Sequence, residues 1–149
     1  MAIVIGSDHA GFELKEQLKK YLDKAKLGYK DVGVYNSEPS DYPDIAALVA
    51  REVSGGVYGQ GILICGSGIG MSIAANKYHN IRAALCYNEE IAKLSREHND
   101  SNVLVLGARM TKKGLAKKIL KAWLETPFSG EERHRRRIEK IKGIEEKVR

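Results

Sequence analysis

Apolar positions along the chain fall into short compact runs separated by stretches with helical periodicity. Ala2–Ile5 is a β-prone run that ends at Gly6-Ser7-Asp8-His9, after which Leu14, Leu18, Tyr21, Leu22 and Ala25 recur on one helix face. Tyr29–Tyr35 reads as a second strand, Ser40-Asp41-Tyr42-Pro43 as a loop and cap, and Ile45–Val53 as a helix. The cycle repeats with a strand over Gly61–Cys65, the turn Gly66-Ser67-Gly68-Ile69-Gly70, and a helix of small residues through Asn76. A fourth strand over Ile81–Tyr87 leads to Asn88, which caps a helix over Glu89–Arg96. Val103–Leu106 is the fifth strand, and Leu115, Ile119, Ala122 and Trp123 give the next helix one apolar face. Alternating strands and helices require crossover connections between parallel strands, and right-handed crossovers place helices on both sides. The pattern therefore predicts an α/β fold, a three-layer α/β/α sandwich with a doubly wound, Rossmann-like sheet of five parallel strands.

Thr126-Pro127-Phe128-Ser129-Gly130 interrupts the alternation. Beyond it, Ile138, Ile141, Ile144 and Val148 mark a last helix whose narrow apolar stripe is expected to pack on a partner subunit. A length of 149 residues with 43% hydrophobic residues supports one domain over 1–149, with 131–149 as a C-terminal basic helix. No run approaches the ~18 apolar residues of a membrane span, and the N-terminus lacks the basic stretch followed by an apolar region that a signal peptide would show. The expected location is the cytoplasm. Cys65 and Cys86 match neither a disulfide framework nor a zinc site, so both read as free thiols and no metal is expected.

The formal charge is +6. Residues 131–149 carry eight Lys/Arg against five Glu, so half the surplus lies in this last helix and the body has no basic stripe for nucleic acid. Ligands of open α/β sheets bind beyond the carboxyl ends of the strands, which selects Asp8-His9, Cys65 with its glycine turn, and Arg109. Backbone N–H groups in the Gly66–Gly70 turn can face an anion or an oxygen gaining charge. The spacing is one residue short of the dinucleotide fingerprint, and no Gly-Lys-Ser/Thr follows to make a P-loop. The same turn also reads as a tight connection whose glycines serve packing alone. Cys65 is a candidate proton acceptor beside that turn, or a small buried hydrophobe; Cys86 reads as the latter. His9 and His98 are candidate acid–base or phosphate groups. His79 and His134 read as surface residues, and Arg133 and Arg137, four apart on one helix, as a phosphate clamp or a solvated face.

Taken in order, these segments resemble ribose-5-phosphate isomerase B, of the family that also contains the galactose-6-phosphate isomerase subunits. The resemblance rests on Gly6-Ser7-Asp8-His9-Ala10-Gly11-Phe12, Asp41-Tyr42-Pro43-Asp44 and the run from Cys65 to Lys77. It continues through Ile81-Arg82-Ala83-Ala84, Glu97-His98-Asn99-Asp100, Leu106-Gly107-Ala108-Arg109 and Arg133-His134-x-x-Arg137. It implies interconversion of ribose 5-phosphate and ribulose 5-phosphate through an enediolate, a step of the pentose phosphate pathway, without metal or organic cofactor. Cys65 then matches the base, and the amides of Gly66, Ser67, Gly68, Ile69 and Gly70 match the enediolate hole. His98, helped by Ser67, matches the group that opens the furanose ring. Asp8, Tyr42 and Asn99 match contacts to sugar hydroxyls, and His9, Arg109, Arg133 and Arg137 match the phosphate clamp. The resemblance further implies a homodimer sharing its active sites, with His98, Asn99 and Arg109 supplied by the other chain, and leaves open pairing into tetramers.

Two positions depart from the family pattern: Ser67 stands where Thr is frequent, and the Phe128-to-Arg133 spacing is one residue longer than usual. Two other readings compete. A hexose-6-phosphate isomerase, acting on allose 6-phosphate or galactose 6-phosphate, would differ in the pocket near Tyr42 and Ser67. A non-catalytic nucleotide-binding module would use the glycine turn and the basic helix, and its affinity would fall steeply with salt.

Overall fold

The computed structural model of the protein describes residues 2–148. In chain order the elements are β1 (Ile3–Ser7), α1 (Phe12–Lys24), β2 (Tyr29–Asp31), α2 (Tyr42–Ser54), β3 (Gln60–Cys65) and α3 (Ile69–Ala75). They continue with β4 (Ala83–Leu85), α4 (Glu89–Asn99), β5 (Val103–Gly107), α5 (Lys113–Glu125) and α6 (Glu132–Lys147). The five strands form one parallel sheet in the order β2-β1-β3-β5-β4. One side is covered by α1, α4 and α5, with Leu18, Leu22, Ile119, Leu120 and Trp123 fully buried against Ile5, Ile62, Ile64, Leu104 and Leu106. The other is covered by α2 and α3, with Val49, Ala50 and Met71 buried against Val4, Leu63, Val103 and Val105. Strands buried on both faces need apolar residues at consecutive positions, which is why β1, β3 and β5 read as unbroken runs.

Both flanking strands are shorter than the pattern predicts. The expected Tyr29–Tyr35 strand ends at Asp31, and the expected Ile81–Tyr87 strand is Ala83–Leu85. Each lies at a sheet edge, where one row of backbone groups has no neighbouring strand and side chains take over the pairing. Asn76 brackets Ala83, its Oδ1 accepting from Ala83 N at 2.9 Å and its Nδ2 donating to Ala83 O at 3.0 Å. Past β2, the fully buried Lys15 donates to both Asp31 carboxylate oxygens and to Val34 O, each at 2.7 Å. Burial alone would raise the Asp31 pKa, but hydrogen bonds from Lys15, Lys19 and the Gly33 amide outweigh it and hold the carboxyl below its usual value. This buried cation ties down the segment leading to Ser40.

The order of connections fixes where a crevice opens. The chain leaves β1 through α1 on one side and leaves the adjacent β3 through α3 on the other, so the carboxyl ends of β1 and β3 part. Helix α4 starts at that same edge of the sheet. Asn88 caps it by accepting from Ile91 N at 2.8 Å. It then runs back for 11 residues, about 16 Å at helical rise, to the opposite edge. The helix goes one turn past the expected Arg96 and ends where Asp100 turns left-handed at φ 45°. That end is held at the amino edge of the sheet, since Arg82 Nε donates to Asn99 O at 3.0 Å and Asn102 Nδ2 to Asn80 O at 2.8 Å.

Candidate active site

A cavity of about 490 Å³ occupies the crevice at the carboxyl edge, lined by Asp8, Tyr42, Cys65, Gly66, Ser67, Ile69, Gly70, Ile73, Arg109 and Met110. Cys65 is the last residue of β3, and its Sγ accepts the Gly68 N–H at 3.2 Å. Gly68 delivers that N–H from a left-handed conformation, φ 83°, which side-chain-bearing residues adopt only with strain. The next amide, Ile69 N–H, donates to Ser67 Oγ at 3.2 Å, so the Ser67 hydroxyl keeps its own proton for another partner. Gly70 lies in the first turn of α3, where amides have no helical carbonyl to pair with. A Cβ at Gly70 would run into the Tyr42 ring, so glycine lets that ring rest on the helix start and wall the cavity.

Asp8 is buried and its Oδ1 accepts from Gly11 N at 3.0 Å. His9 is clasped by Ser40: His9 N donates to Ser40 Oγ at 3.0 Å, and Ser40 N donates to His9 Nδ1 at 3.1 Å. Ser40 O also lies 3.2 Å from that nitrogen, so the Ser40 backbone holds Nδ1 in place in either tautomer. Arg109 follows β5, and its guanidinium lies over Gly66 of the same chain. The resemblance assigns Arg109 to a second chain; here it lines the cavity of its own.

The remaining candidates gather at the other end of the sheet. His98 and Asn99 occupy the last turn of α4, within the helix and not just beyond it. Arg133, His134 and Arg137 occupy the first turns of α6, which packs on α4, and Ser129 N donates to Glu97 O at 3.2 Å beside them. Arg133 pairs with Glu131, while Arg137 is exposed. His134 is not a surface residue: it is 4% exposed, and its ring stacks on that of His98 with centroids 4.2 Å apart and planes 15° apart. Its basic neighbours point to solvent, but the four-residue step to Ile138 puts it on the buried face of α6. His79 does face solvent and pairs with Glu145 at 3.1 Å. Beyond Ile138 the apolar stripe emerges, with Ile144 62% and Val148 78% exposed.

One chain therefore carries two separated half-constellations. The thiol, the glycine turn, Asp8, His9, Tyr42 and Arg109 sit at the carboxyl edge; His98, Asn99, Arg133 and Arg137 sit at the amino edge. Sequence reading misses Ser40, whose only signal is its place in a polar loop before a helix, and the apolar rim residues Ile73 and Met110. Cys86 is buried in the core, where desolvation pushes its thiol up to about 11, so it stays protonated. Among the described residues no group of three or more His, Cys, Asp or Glu is arranged to hold a metal ion. No helix among them is long and apolar enough to cross a membrane.

The family model described as Ribose/Galactose Isomerase matches residues 3–141. Ribose-5-phosphate isomerase B of Escherichia coli is 46% identical over 145 residues, covering 97% of each chain. Ribose-5-phosphate isomerase B of Clostridium thermocellum superposes with a TM-score of 0.98 at 46% identity over the whole of both chains. The enzyme of that name from Mycoplasma genitalium, solved with bound ribulose-5-phosphate, gives a TM-score of 0.93 at 40% identity, covering 97% of this chain and 96% of that one. With the family model spanning nearly the full length and relatives this similar end to end, the chain belongs to the ribose/galactose isomerase family.

Proposed function

We propose that the protein is an aldose–ketose isomerase interconverting D-ribose 5-phosphate and D-ribulose 5-phosphate through an enediolate, in the cytoplasm and without a cofactor. The observation that carries this reading is the crevice that Cys65 lines at the end of β3, the residue 4% exposed and its sulfur accepting the Gly68 amide of the Gly66–Gly70 turn. Isomerisation needs a base that takes the proton from C2 of the open-chain aldose and returns it to C1, and donors for the charge that forms on oxygen meanwhile. Cys65 takes the first role through its sulfur. Turn amides, with Gly70 at the start of α3, take the second. The cyclic sugar must first open, and His98 with the Ser67 hydroxyl moves the proton for that step. Asp8, Tyr42 and Asn99 hold sugar hydroxyls, and His9, Arg109, Arg133 and Arg137 hold the phosphate, whose binding energy fixes the reacting carbons against the sulfur.

His98, Asn99, Arg133 and Arg137 reach such a sugar only from a second copy, so the working unit is a homodimer with two shared sites. The exposed apolar rim at Ile69, Ile73 and Met110, and the exposed stripe at Ile141 and Ile144, are the faces offered to that copy. The test is interconversion of ribose 5-phosphate and ribulose 5-phosphate by the purified chain with a chelator present. Turnover of the pentose phosphates supports the reading. Turnover of allose 6-phosphate or galactose 6-phosphate in their place, or of neither class, rejects it.

A further inference from the structure

His134 has no part in the roles set out above, yet the fold buries it against one of the groups that has. Its Nε2 makes no hydrogen bond, and the Glu131 carboxylate lies 3.7 Å off, so the contact that fixes this ring is the stack on His98. We propose that His134 is a positioning residue for His98, a buried flat platform that sets the plane in which the His98 ring meets the sugar. The inference rests on the isomerase reading, in which His98 opens the furanose ring.

Geometry and electrostatics support it together. His98 is half-buried in the last turn of a helix that ends one residue later at Asn99, ahead of the left-handed Asp100, a place where a side chain without a fixed neighbour samples several rotamers. A nearly parallel ring at 4.2 Å removes that freedom. The groups facing His134 are His98 from α4 and Arg133, Arg137 and Glu131 from its own helix and cap. Burial first, then the charge of His98 and of Arg133, lowers its pKa, while Glu131 opposes them. His134 is therefore biased toward its neutral form, which suits a flat platform stacked on another imidazole. A platform that charged up with its partner would push it away.

Steady-state isomerisation of ribose 5-phosphate by the wild-type chain, His134→Ala and His134→Phe decides the matter, with thermal melts and ring nitrogen NMR on each. Without the platform, kcat of His134→Ala falls about ten- to a hundredfold while KM moves less than about twofold, the cost of a misplaced acid–base group. Phenylalanine rebuilds the flat surface and returns kcat to within about threefold of wild type. An unchanged kcat in the alanine variant overturns the proposal. A raised KM in both variants does so as well, by making His134 a phosphate contact. Should the alanine chain not fold, the phenylalanine chain decides alone: near-normal kcat supports the proposal, and a large loss with a normal melt overturns it. A wild-type His134 ring that gains its proton as readily as an unburied histidine also overturns it. Absent wild-type turnover removes the isomerase reading itself and this inference with it, a result distinct from any variant-specific loss.

Discussion

The two edges of the sheet carry opposite kinds of chemistry. At the carboxyl edge a sulfur, a glycine turn and a tyrosine wall form a concave cavity made by strand ends and loops. At the amino edge, two stacked histidines and two arginines stand on the ends of helices α4 and α6 with no thiol or glycine turn beside them. Under the proposed mechanism the first region holds Cys65, the base, but lacks His98, the group assigned to ring opening; the second holds His98 but has no base. Each is incomplete in the way the other supplies, which argues for a site assembled between copies and not folded within one.

The comparison can be broken most severely at the sulfur. Cys65→Ala should lower kcat by ~10²- to 10⁴-fold while calorimetry still detects phosphosugar binding, since the clamp is untouched. Removing a clamp residue is milder and of another kind: Arg137→Ala should raise KM for ribose 5-phosphate roughly tenfold, the worth of one hydrogen bond to a charged group, with a smaller change in kcat. Alkylation with iodoacetamide near pH 8 should modify Cys65 in the folded protein and spare Cys86, whose thiol is held to about 11 by burial. Peptide mapping that finds Cys86 modified first would contradict the assignment of the two thiols.

The smallest effect concerns pH and stability. Because the His134 pKa is depressed on folding, the unfolded chain binds more protons at this site as pH falls. Its contribution is present above the unfolded value of about 6.5 and is lost as pH drops through the lower folded value. His134→Phe should flatten the decline of melting temperature as pH falls below about 6.5, relative to wild type.

Much of the carboxyl-edge region is legible in the amino-acid sequence, and the reasons are local. Cys65 and the glycines fall at a strand end, and strand ends are where open sheets bind ligands, so period and topology alone point to them. Asn88 reads as a cap from its place ahead of a helical pattern, and its side-chain oxygen does accept the Ile91 amide. The amino-edge region is much less legible. His98 and His134 lie 36 positions apart and meet only because α6 folds back on α4. The basic run around His134 obscures its place on the same face as Ile138, and the end of α4 carries Asp100 where a glycine stop signal would have marked it. The pattern overextends strands β2 and β4 for a related reason, since apolar composition does not reveal that a strand lies at an edge.

Mixing two inactive variants tests the central claim most directly. Cys65→Ala keeps an intact amino edge and His98→Ala an intact carboxyl edge, so a heterodimer of the two contains one whole site and one doubly damaged site. After joint unfolding and refolding at equal concentrations, random pairing makes half the dimers mixed, and activity on ribose 5-phosphate should rise to about a quarter of wild type. A mixture no more active than the mean of its two components would show that each chain carries its own complete site, contrary to this account.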